Sequence, residues 1–282
     1  MTATQKRRPK LYVMDNGRMR MDSNWLVAMN HPATSREPEV VSRLVEVPVY
    51  TVLIDHPEGK ILFDSACHPH AMGENGRWPK MTQETFEWLS DEACYLPHRL
   101  EALGLRPADI RYVVASHLHM DHAGCLEMFP NATIFVHEDE WNGALQSYAR
   151  RETNGSYIWA DVHAWIQAGL RWHAVNRNDD VISLADGVQI LNFGSGHSLG
   201  MLGLSVDLLE TGRIILASDA AYTEDSYVYS DKIPGAVYDT IGYRRTVERI
   251  HLLAAERNSE VWFGHDSSQF AGLRKSTEGA YE

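Results

Sequence analysis

One short segment of the chain holds four side chains of the kind that bind metal ions in proteins. It spans 116–122 (SHLHMDH), and an apolar run at 112–115 (YVVA) directly precedes it. That run predicts a buried strand, so the segment is expected at a strand end, where a loop can turn His117 and His119 toward one point. Because one ion seldom takes four ligands from so short a loop, the spacing favours a second ion for the Asp-His pair that ends the segment.

Three later segments each place one further metal-binding side chain directly behind a predicted strand. They are His197 after the strand 190–193, Asp219 after the strand 214–216 and His265 after the strand 260–263. A carboxylate such as that of Asp219 can bridge two cations, and histidine nitrogens with carboxylate oxygens suit Zn, Fe, Mn or Co. Taken alone, His197 or Asp219 could be an ordinary polar loop residue. Four such signatures in this order predict a dinuclear hydrolytic site.

Predicted strands fall into two groups, and helices accompany each group. Strands are predicted at 10–15, 47–55, 60–64, 112–115, 133–136, 172–175, 188–193, 202–206, 213–217 and 260–263, helices at 82–89, 97–103, 123–128, 138–150 and 240–257, and a turn at 15–17. Two sheets packed face to face with helices outside bury such elements, so the fold class is α/β, a two-sheet sandwich flanked by helices. The chain shows no linker, and one domain over residues 1–282 is expected.

Charge and cysteine content exclude several classes of protein. The formal net charge is −12 with histidine neutral, and an acidic surface repels phosphate backbones, so no nucleic-acid partner is expected. The three cysteines form no CxxC motif, which favours a reducing compartment over a disulfide framework. No apolar run follows the charged first ten residues or approaches the ~20 residues of a membrane helix. A cytoplasmic protein without a membrane partner is therefore expected.

Taken in order, these motifs resemble the metallo-β-lactamase superfamily over nearly the whole chain. Within that superfamily, the sequence closely resembles the N-acyl homoserine lactonases, which quench bacterial quorum sensing. The segments that carry the resemblance are 11–17 (LYVMDNG), 116–122 (SHLHMDH), 192–197 (NFGSGH), 218–222 (SDAAY) and 263–266 (FGHD). The resemblance implies an αβ/βα sandwich of two mixed sheets with the metals at one edge, a small-molecule lactone substrate and a homodimer.

The same resemblance implies a role for each candidate ligand. His117, His119 and His197 would hold one divalent ion, Asp121, His122 and His265 the other, and Asp219 would bridge them, with zinc expected and iron, cobalt or manganese as alternatives. A hydroxide between the ions would open the lactone ring. Tyr222 would hydrogen-bond the carbonyl oxygen, and Asp121 would pass a proton to the leaving ring oxygen. Asp64 and Asp266 would orient ligands.

The acyl chain of such a substrate needs an apolar wall, and side chains from several parts of the sequence are candidates for the substrate pocket. They are Met19, Met21, Trp25, Phe86, Met120, Ser156, Tyr157 and Tyr222. Met19 and Met21 alternate with charged residues, as in a strand with one apolar face, and flexible thioethers adapt to varied ligands. Ordinary core packing explains the two methionines equally well, so both interpretations stay open.

Other functions remain open at this stage. The same ligands could hydrolyse simpler lactones such as γ-butyrolactone, or a thioester in the manner of glyoxalase II, although the few residues after His265 leave no room for the helical domain of that enzyme. A β-lactamase proper and a flavodiiron-type redox protein fit less well, because Asp219 and His119 depart from their ligand sets. A metal-binding protein without catalysis predicts that a ligand or Tyr222 would be missing, and none is.

Overall fold

In the computed structural model, residues 8–40, 42–152 and 155–282 are described, and their strands form two sheets. The first contains β1 (Lys10–Asp22), β2 (Leu44–Asp55), β3 (Lys60–Phe63), β4 (Glu87–Leu89), β5 (Ile110–Val114), β6 (Thr133–His137) and β7 (Arg171–Val175), in the order β4-β1-β2-β3-β5-β6-β7. The second contains β8 (Val181–Ala185), β9 (Val188–Gly194), β10 (Met201–Leu208), β11 (Gly212–Ser218) and β12 (Glu260–Phe263), in the order β12-β11-β10-β9-β8.

Both sheets are mixed. In the first sheet, neighbouring strands run antiparallel from β4 to β3 and parallel from β3 to β7. In the second, β11 and β12 pair in parallel and the other neighbours pair antiparallel. The predicted sandwich of two mixed sheets flanked by helices is confirmed.

Helices flank the two sheets. They are α1 (Ser23–Leu26), α2 (Lys80–Thr85), α3 (Leu96–Ala102), α4 (Glu138–Arg150), α5 (Trp159–Gln167), α6 (Glu224–Val228), α7 (Thr240–Arg257) and α8 (Ser267–Gly272). Residues of α3, α4 and α5 share a buried cluster with the first sheet, and residues of α7 share another with the second. None of the helices in the described part of the chain has the length and apolar character needed to cross a membrane.

The main core lies between the two sheets. Every second side chain of a strand points into this space, and the side chains of the two sheets interdigitate there. Leu11 and Val13 of β1 belong to the same buried cluster as Ile190 of β9 and Leu204 of β10. Each is fully buried, which contributes roughly 1.5–3 kcal/mol for a side chain of this size. This packing fixes the strand ends, and therefore the loops that follow them, relative to one another.

The predicted turn at 15–17 is wrong, because β1 continues through it as a bulge. The register against β2 shifts between Asp15 and Arg18, and Gly17 has a φ of +95°. The Asn16 side chain is buried there, where its amide donates to the Cys94 carbonyl and its oxygen accepts from the Thr51 hydroxyl. A bulge places two residues opposite one, so a turn-like sequence is accommodated inside a strand.

Two predicted helices are shorter than expected, and several elements were not predicted. The helix expected at 82–89 ends with α2 at Thr85, because 87–89 pair with β1 as the edge strand β4. The helix expected at 123–128 is only a 3₁₀ turn at Leu126–Met128. The elements without a prediction are α1, α5, α6, α8, β4 and β8.

Candidate metal centre

Loops behind four strands bring the seven predicted ligands to one edge of the sandwich. His117, His119, Asp121 and His122 follow β5, His197 follows β9, Asp219 follows β11 and His265 follows β12; together they are called the ligand cluster below. Six of the seven side chains are buried, and His119 is half-buried. Their gathering at one point is the geometry expected of loops that leave the same edge.

Three histidines form one half of the ligand cluster. The ligand atoms of His117, His119 and His197 all lie within 4.8 Å of one another. His119 Nδ1 and His197 Nε2 are 3.0 Å apart. Ring nitrogens that converge in this way surround a point that a cation can occupy.

Asp121, His122 and His265 form the other half, again with ligand atoms within 4.8 Å of one another. Asp121 Oδ2 lies 3.5 Å from His122 Nε2 and 3.4 Å from His265 Nε2. This group offers two nitrogens and one carboxylate, so its donor set differs from that of the three histidines.

Asp219 lies between the two halves and faces both. Its Oδ1 is 3.5 Å from His122 Nε2 and 3.4 Å from His265 Nε2. Its Oδ2 is 3.2 Å from His197 Nε2 and 3.8 Å from His117 Nε2. Each oxygen therefore belongs to a different half, which is the arrangement a bridging carboxylate requires.

The inner atoms of the ligand cluster fit a cation because several of them have no other partner. Among the described residues, His117 Nε2, His122 Nε2 and Asp219 Oδ1 are buried without a hydrogen-bond partner. A buried polar atom left unsatisfied costs about 1–3 kcal/mol. Histidine nitrogens and carboxylate oxygens that converge in this way are satisfied by a divalent metal ion.

Outer hydrogen bonds fix the orientation of four ligand rings. The Nδ1 atoms of His197 and His265 face the carbonyl oxygens of Ala236 and Pro48, at 2.6 and 2.9 Å. The Nδ1 of His122 lies 2.9 Å from Asp64 Oδ2, and the Nδ1 of His117 lies 3.0 Å from Ser116 Oγ. An acceptor at Nδ1 keeps the proton on that side and leaves the Nε2 lone pair directed inward.

The charge balance of the ligand cluster also favours cations. Burial lowers the pKa of His117, His119 and His197, aided for the first by neighbouring His122 and His119, so these rings are neutral. Burial opposes charge on His122 as well, but Asp121, Asp219 and Asp64 raise its pKa well above the ordinary value.

The two carboxylates are held in the ionised form. Burial opposes ionisation of Asp121, yet His122 and His265 lower its pKa to about 2. The pKa of Asp219 is lowered as well, because His265, His122 and His197 outweigh its burial. Metal ions that replace the protons of His122 and His265 would neutralise the same carboxylates, so binding would release protons.

Asp64 contacts His122 and the residue before His117, as expected of a residue that orients ligands. Besides facing His122, its carboxylate accepts from the Ser116 amide at 2.7 Å and from the Ser116 hydroxyl at 3.0 Å. Asp64 and Ser218 both have a left-handed backbone, with φ of +61° and +48°. Such backbone conformations cost about 1–3 kcal/mol each and concentrate at functional sites.

Asp266 does not orient a ligand, and that expectation is wrong. Its carboxylate caps α8 by accepting from the Gln269 amide at 2.7 Å, and it accepts from the Glu224 amide at 2.9 Å. Gly264 stands between β12 and His265, and it packs closely against the bridging position. A Cβ on Gly264 would lie 2.1 Å from Asp219 Oδ1. Only glycine lets β12 approach the bridging position this closely.

A cavity of about 630 Å³ opens onto the ligand cluster. Residues of the predicted substrate pocket all line it, namely Met19, Met21, Trp25, Phe86, Met120, Ser156, Tyr157 and Tyr222. The Tyr222 ring lies at the floor, 5.0 Å from the His197 ring and 4.9 Å from the His265 ring between centroids. The cavity is of the size that small-molecule sites have.

The two interpretations of the methionines are both realised. Met19 and Met21 are almost fully buried in a cluster with Trp78 and Trp88, and they also line the cavity. Sequence patterns missed other residues that line the cavity, which come from α2, the end of α4 and the segment 235–238. They also missed Glu140, which is buried behind the histidines. No local signal marks these residues, because only the packing of distant elements brings them to the site.

Comparison with known proteins finds relatives along nearly the full length of the chain. Residues 44–265 match the family model of the metallo-beta-lactamase superfamily. The chain is 44% identical over 273 residues to the N-acyl homoserine lactonase AiiB of Agrobacterium fabrum, and the alignment covers 97% of this chain and 99% of AiiB.

Two solved structures also match the chain over nearly its full length. An N-acyl homoserine lactone hydrolase with the product N-hexanoyl-L-homoserine bound at its catalytic metal centre matches with a TM-score of 0.80 at 25% identity, covering 97% of this chain and 99% of that one. An AiiA mutant from B. thuringiensis, with N-decanoyl-L-homoserine bound at its active site, matches with the same TM-score and coverage at 24% identity.

Proposed function

The chain belongs to the metallo-beta-lactamase superfamily, and from that premise we propose that it is a single-domain lactonase that hydrolyses the ring ester of N-acyl homoserine lactones. The observation that carries the proposal is the position of Asp219, whose two oxygens face two different ligand groups at the floor of a largely apolar cavity. One carboxylate between two such groups suits dinuclear hydrolysis. The relative AiiB is itself a lactonase of this class.

We assign the ligands to two divalent ions. His117, His119 and His197 would hold one, Asp121, His122 and His265 the other, and Asp219 would bridge them. Nitrogen and carboxylate donors without a thiolate suit zinc, the metal we propose, and also iron, cobalt or manganese. When bound, such ions supply Lewis acidity toward a carbonyl and lower the pKa of water toward neutrality.

Tyr222 is assigned to the carbonyl oxygen of the substrate. Burial raises the pKa of its hydroxyl well above the ordinary value, and the Asp219 and Asp121 carboxylates add to that effect. The hydroxyl therefore stays protonated and can donate to the negative charge that develops on the carbonyl oxygen. Asp121 also lines the cavity and is ionised in the resting site. We assign it to accept the proton that the attacking water gives up and to pass that proton to the ring oxygen as the ring oxygen leaves.

The rest of the cavity is assigned to the acyl amide and its chain. Met21, Trp25 and Phe86 form an apolar side, and the Trp25 and Phe86 rings pack with centroids 5.3 Å apart. Ser156 and Tyr157 line another side of the cavity, and the Tyr157 hydroxyl itself faces Ser198. An apolar wall with a few polar groups is typical of a site that takes a small amphiphilic ligand.

The experiment compares lactones of graded acyl length. Purified protein is stripped of metal with a chelator and reloaded with zinc, and ring opening is followed by proton release. We expect hydrolysis only after reloading, with a higher kcat/KM for acylated homoserine lactones than for γ-butyrolactone. No metal-dependent ring opening at any length would refute the lactonase. Equal kcat/KM on γ-butyrolactone would assign the site to simple lactones, and turnover of a glutathione thioester alone would assign it to thioesterases.

A substitution at Trp25 tests the acyl wall. Trp25→Ala is expected to lower kcat/KM for a decanoyl substrate about 10-fold more than for a butanoyl one, since a long chain loses more contact area. Zinc content should not change. Trp159→Ala, which alters a partly exposed tryptophan away from the cavity, is the matched control. A joint loss of zinc and of turnover on both substrates would instead show that Trp25 serves only the core.

We further propose a cytoplasmic location and a homodimer. The three cysteines are free and two of them are buried, which fits a reducing compartment. Ile241 and Leu252 are exposed on α7 and lie about three turns apart on one face, so they are the proposed dimer contact. Light scattering on the wild type and on Leu252→Lys checks this: two chains in the first and one in the second are expected.

A further inference from the structure

We propose that Glu140 is a positioning residue that holds the three-histidine half of the ligand cluster and leaves the other half to different partners. The inference rests on the proposed metal site and deepens it. Glu140 lies in the first turn of α4 and is fully buried. Its carboxylate binds both of the loops that carry His117, His119 and His197.

The first of these loops is bound through one amide. Leu118 N donates to Glu140 Oε1 at 2.9 Å. Leu118 stands between His117 and His119 in the chain, so a hydrogen bond that fixes its peptide fixes the backbone that carries both rings. The bond is buried, where water cannot replace it.

The second loop is bound through two donors on the other oxygen. Ser198 Oγ donates to Glu140 Oε2 at 2.6 Å, and Gly200 N donates to it at 3.2 Å. Ser198 directly follows His197. The two oxygens of one carboxylate thus join the loop behind β5 to the loop behind β9, which are about 80 residues apart in sequence.

Helix α4 packs closely against the loop that carries His197. A Cβ on Gly143, one turn after Glu140, would lie 2.1 Å from Leu199 Cδ1. A Cβ on Gly200 would lie 2.1 Å from His137 Nδ1, at the start of the same helix. Glycine at both positions lets α4 and the His197 loop approach within hydrogen-bond distance, and the Glu140 carboxylate lies between them.

The charge of Glu140 matches its surroundings. Its contacts are donors: two amides, the Ser198 hydroxyl and the Tyr157 hydroxyl. Only an ionised carboxylate accepts from all of them. Burial raises the Glu140 pKa while these hydrogen bonds oppose the rise, and cations at the ligand cluster would favour the ionised form further.

The other half of the ligand cluster is held without Glu140. His122 is oriented by Asp64 and His265 by the Pro48 carbonyl. Loss of Glu140 should therefore weaken one ion and spare the other, whereas a general loss of structure would weaken both. This selectivity distinguishes a positioning role from an ordinary buried contact.

The test measures metal directly. Zinc release from wild type, Glu140→Ala and Glu140→Gln is titrated with a competing chelator, and the sites are identified by the cobalt spectra of each variant. We expect Glu140→Ala to bind one ion with an affinity about 10–100-fold lower than that of the wild type. It should bind the second ion with wild-type affinity. Glu140→Gln, which retains the shape and part of the hydrogen bonding, should fall between. The remaining cobalt spectrum should match that of His197→Ala.

Two variants serve as controls. Glu138→Ala removes a half-buried carboxylate on the same helix turn as Glu140, which pairs with Arg177, and it should leave both affinities unchanged. His265→Ala, which removes a nitrogen of the other half, should weaken the ion that Glu140→Ala spares. If Glu140→Ala does not fold, Glu140→Gln carries the test.

Equal weakening of both ions, or none, would overturn the inference. Because the readout is metal affinity, it stands apart from catalysis. A protein that behaves as described but opens no lactone would refute the proposed function and support this inference.

Discussion

Two buried charged clusters in this molecule differ in where their positive charge comes from. In the first, called the arginine cluster, Arg77 Nη1 lies 2.7 Å from Glu127 Oε1 and 3.0 Å from Asp161 Oδ1, and His68 Nε2 lies 3.3 Å from Glu127. The second is the ligand cluster, whose carboxylates face only histidines. A buried carboxylate needs a cation. The chain supplies a guanidinium to the first cluster, and we propose that metal ions supply the positive charge of the second.

The difference separates a structural role from a chemical one. Arg77 ties the segment after β3 to α5, where Asp161 is fully buried. That segment packs beneath Met19, Met21 and Met120 of the cavity wall. The arginine cluster therefore stabilises the scaffold, whereas the ligand cluster is the site to which we assign the reaction. Substitutions in the two clusters should have opposite effects on stability and on metal binding.

The largest effect is expected at the bridging position. Asp219→Asn should lower lactone turnover by more than the roughly 10–100-fold that follows loss of a ligand's hydrogen-bond partner, because it alters a ligand shared by both ions. The melting temperature of the variant should no longer rise with zinc. In the wild type, zinc at 100 times its dissociation constant should add about 2.7 kcal/mol for each site. Retained turnover or a zinc-dependent melting temperature would refute the bridging assignment.

Tyr222→Phe should separate chemistry from metal binding. Removal of a donor to the developing oxyanion is expected to lower kcat about 100-fold, with two zinc ions retained because the hydroxyl is not a ligand. Zinc content and kcat are measured on the same preparation. Tyr227→Phe, at a tyrosine outside the cavity lining, is the control. An unchanged kcat would remove Tyr222 from the mechanism.

Arg77→Met should produce the reverse pattern. It leaves the buried Asp161 and the partly buried Glu127 without their cation, and we expect a loss of about 2 kcal/mol in the free energy of unfolding, below the 3–5 kcal/mol of a fully buried pair because Arg77 is partly exposed. Zinc content should stay at two. Urea unfolding and metal analysis check both expectations, and loss of zinc with unchanged stability would show that the comparison is mistaken.

Asp161 gives the smallest and most specific effect. Burial raises its pKa to about 7, although Arg77 opposes the rise, and among the described residues its Oδ2 has no hydrogen-bond partner. A folded pKa above the unfolded value of 3.8 means that the folded state holds more protons, so stability falls as the pH rises from about 4 to 7.

Asp161→Asn removes that fall. The stability of the variant minus that of the wild type should therefore increase across the same pH range, by about 1 kcal/mol or more. Thermal unfolding at several pH values measures the difference. A difference that does not change with pH would mean that Arg77 keeps Asp161 ionised throughout.

The sequence could predict the ligands because each one directly follows a strand whose apolar run is legible. Strand ends of a sandwich meet at an edge, so His197 and His265 could be placed near His117 without coordinates. Glu140 could not be found in this way. It is one of three acidic residues at 138–140, a pattern that any helix start shows, and only the packing of α4 distinguishes it from Glu138.

The local errors have the same origin. Residues 82–89 have a helical pattern, but their end pairs with β1, and tertiary pairing outweighs propensity. Residues 15–17 look like a turn, yet hydrogen bonds from Asn16 to distant residues hold them inside a strand. The cavity wall from 235–238 carries no motif at all.

The central claim is that this edge of the sandwich binds two divalent ions that share Asp219. The most direct measurement is a titration of metal-free protein with cobalt, followed by visible absorption. We predict two equivalents per chain with two different spectra, because one half offers three histidines and the other two histidines and Asp121. We also predict that Asp219→Asn disturbs both spectra. A single equivalent, or two equivalents that Asp219→Asn leaves unchanged, would contradict the claim.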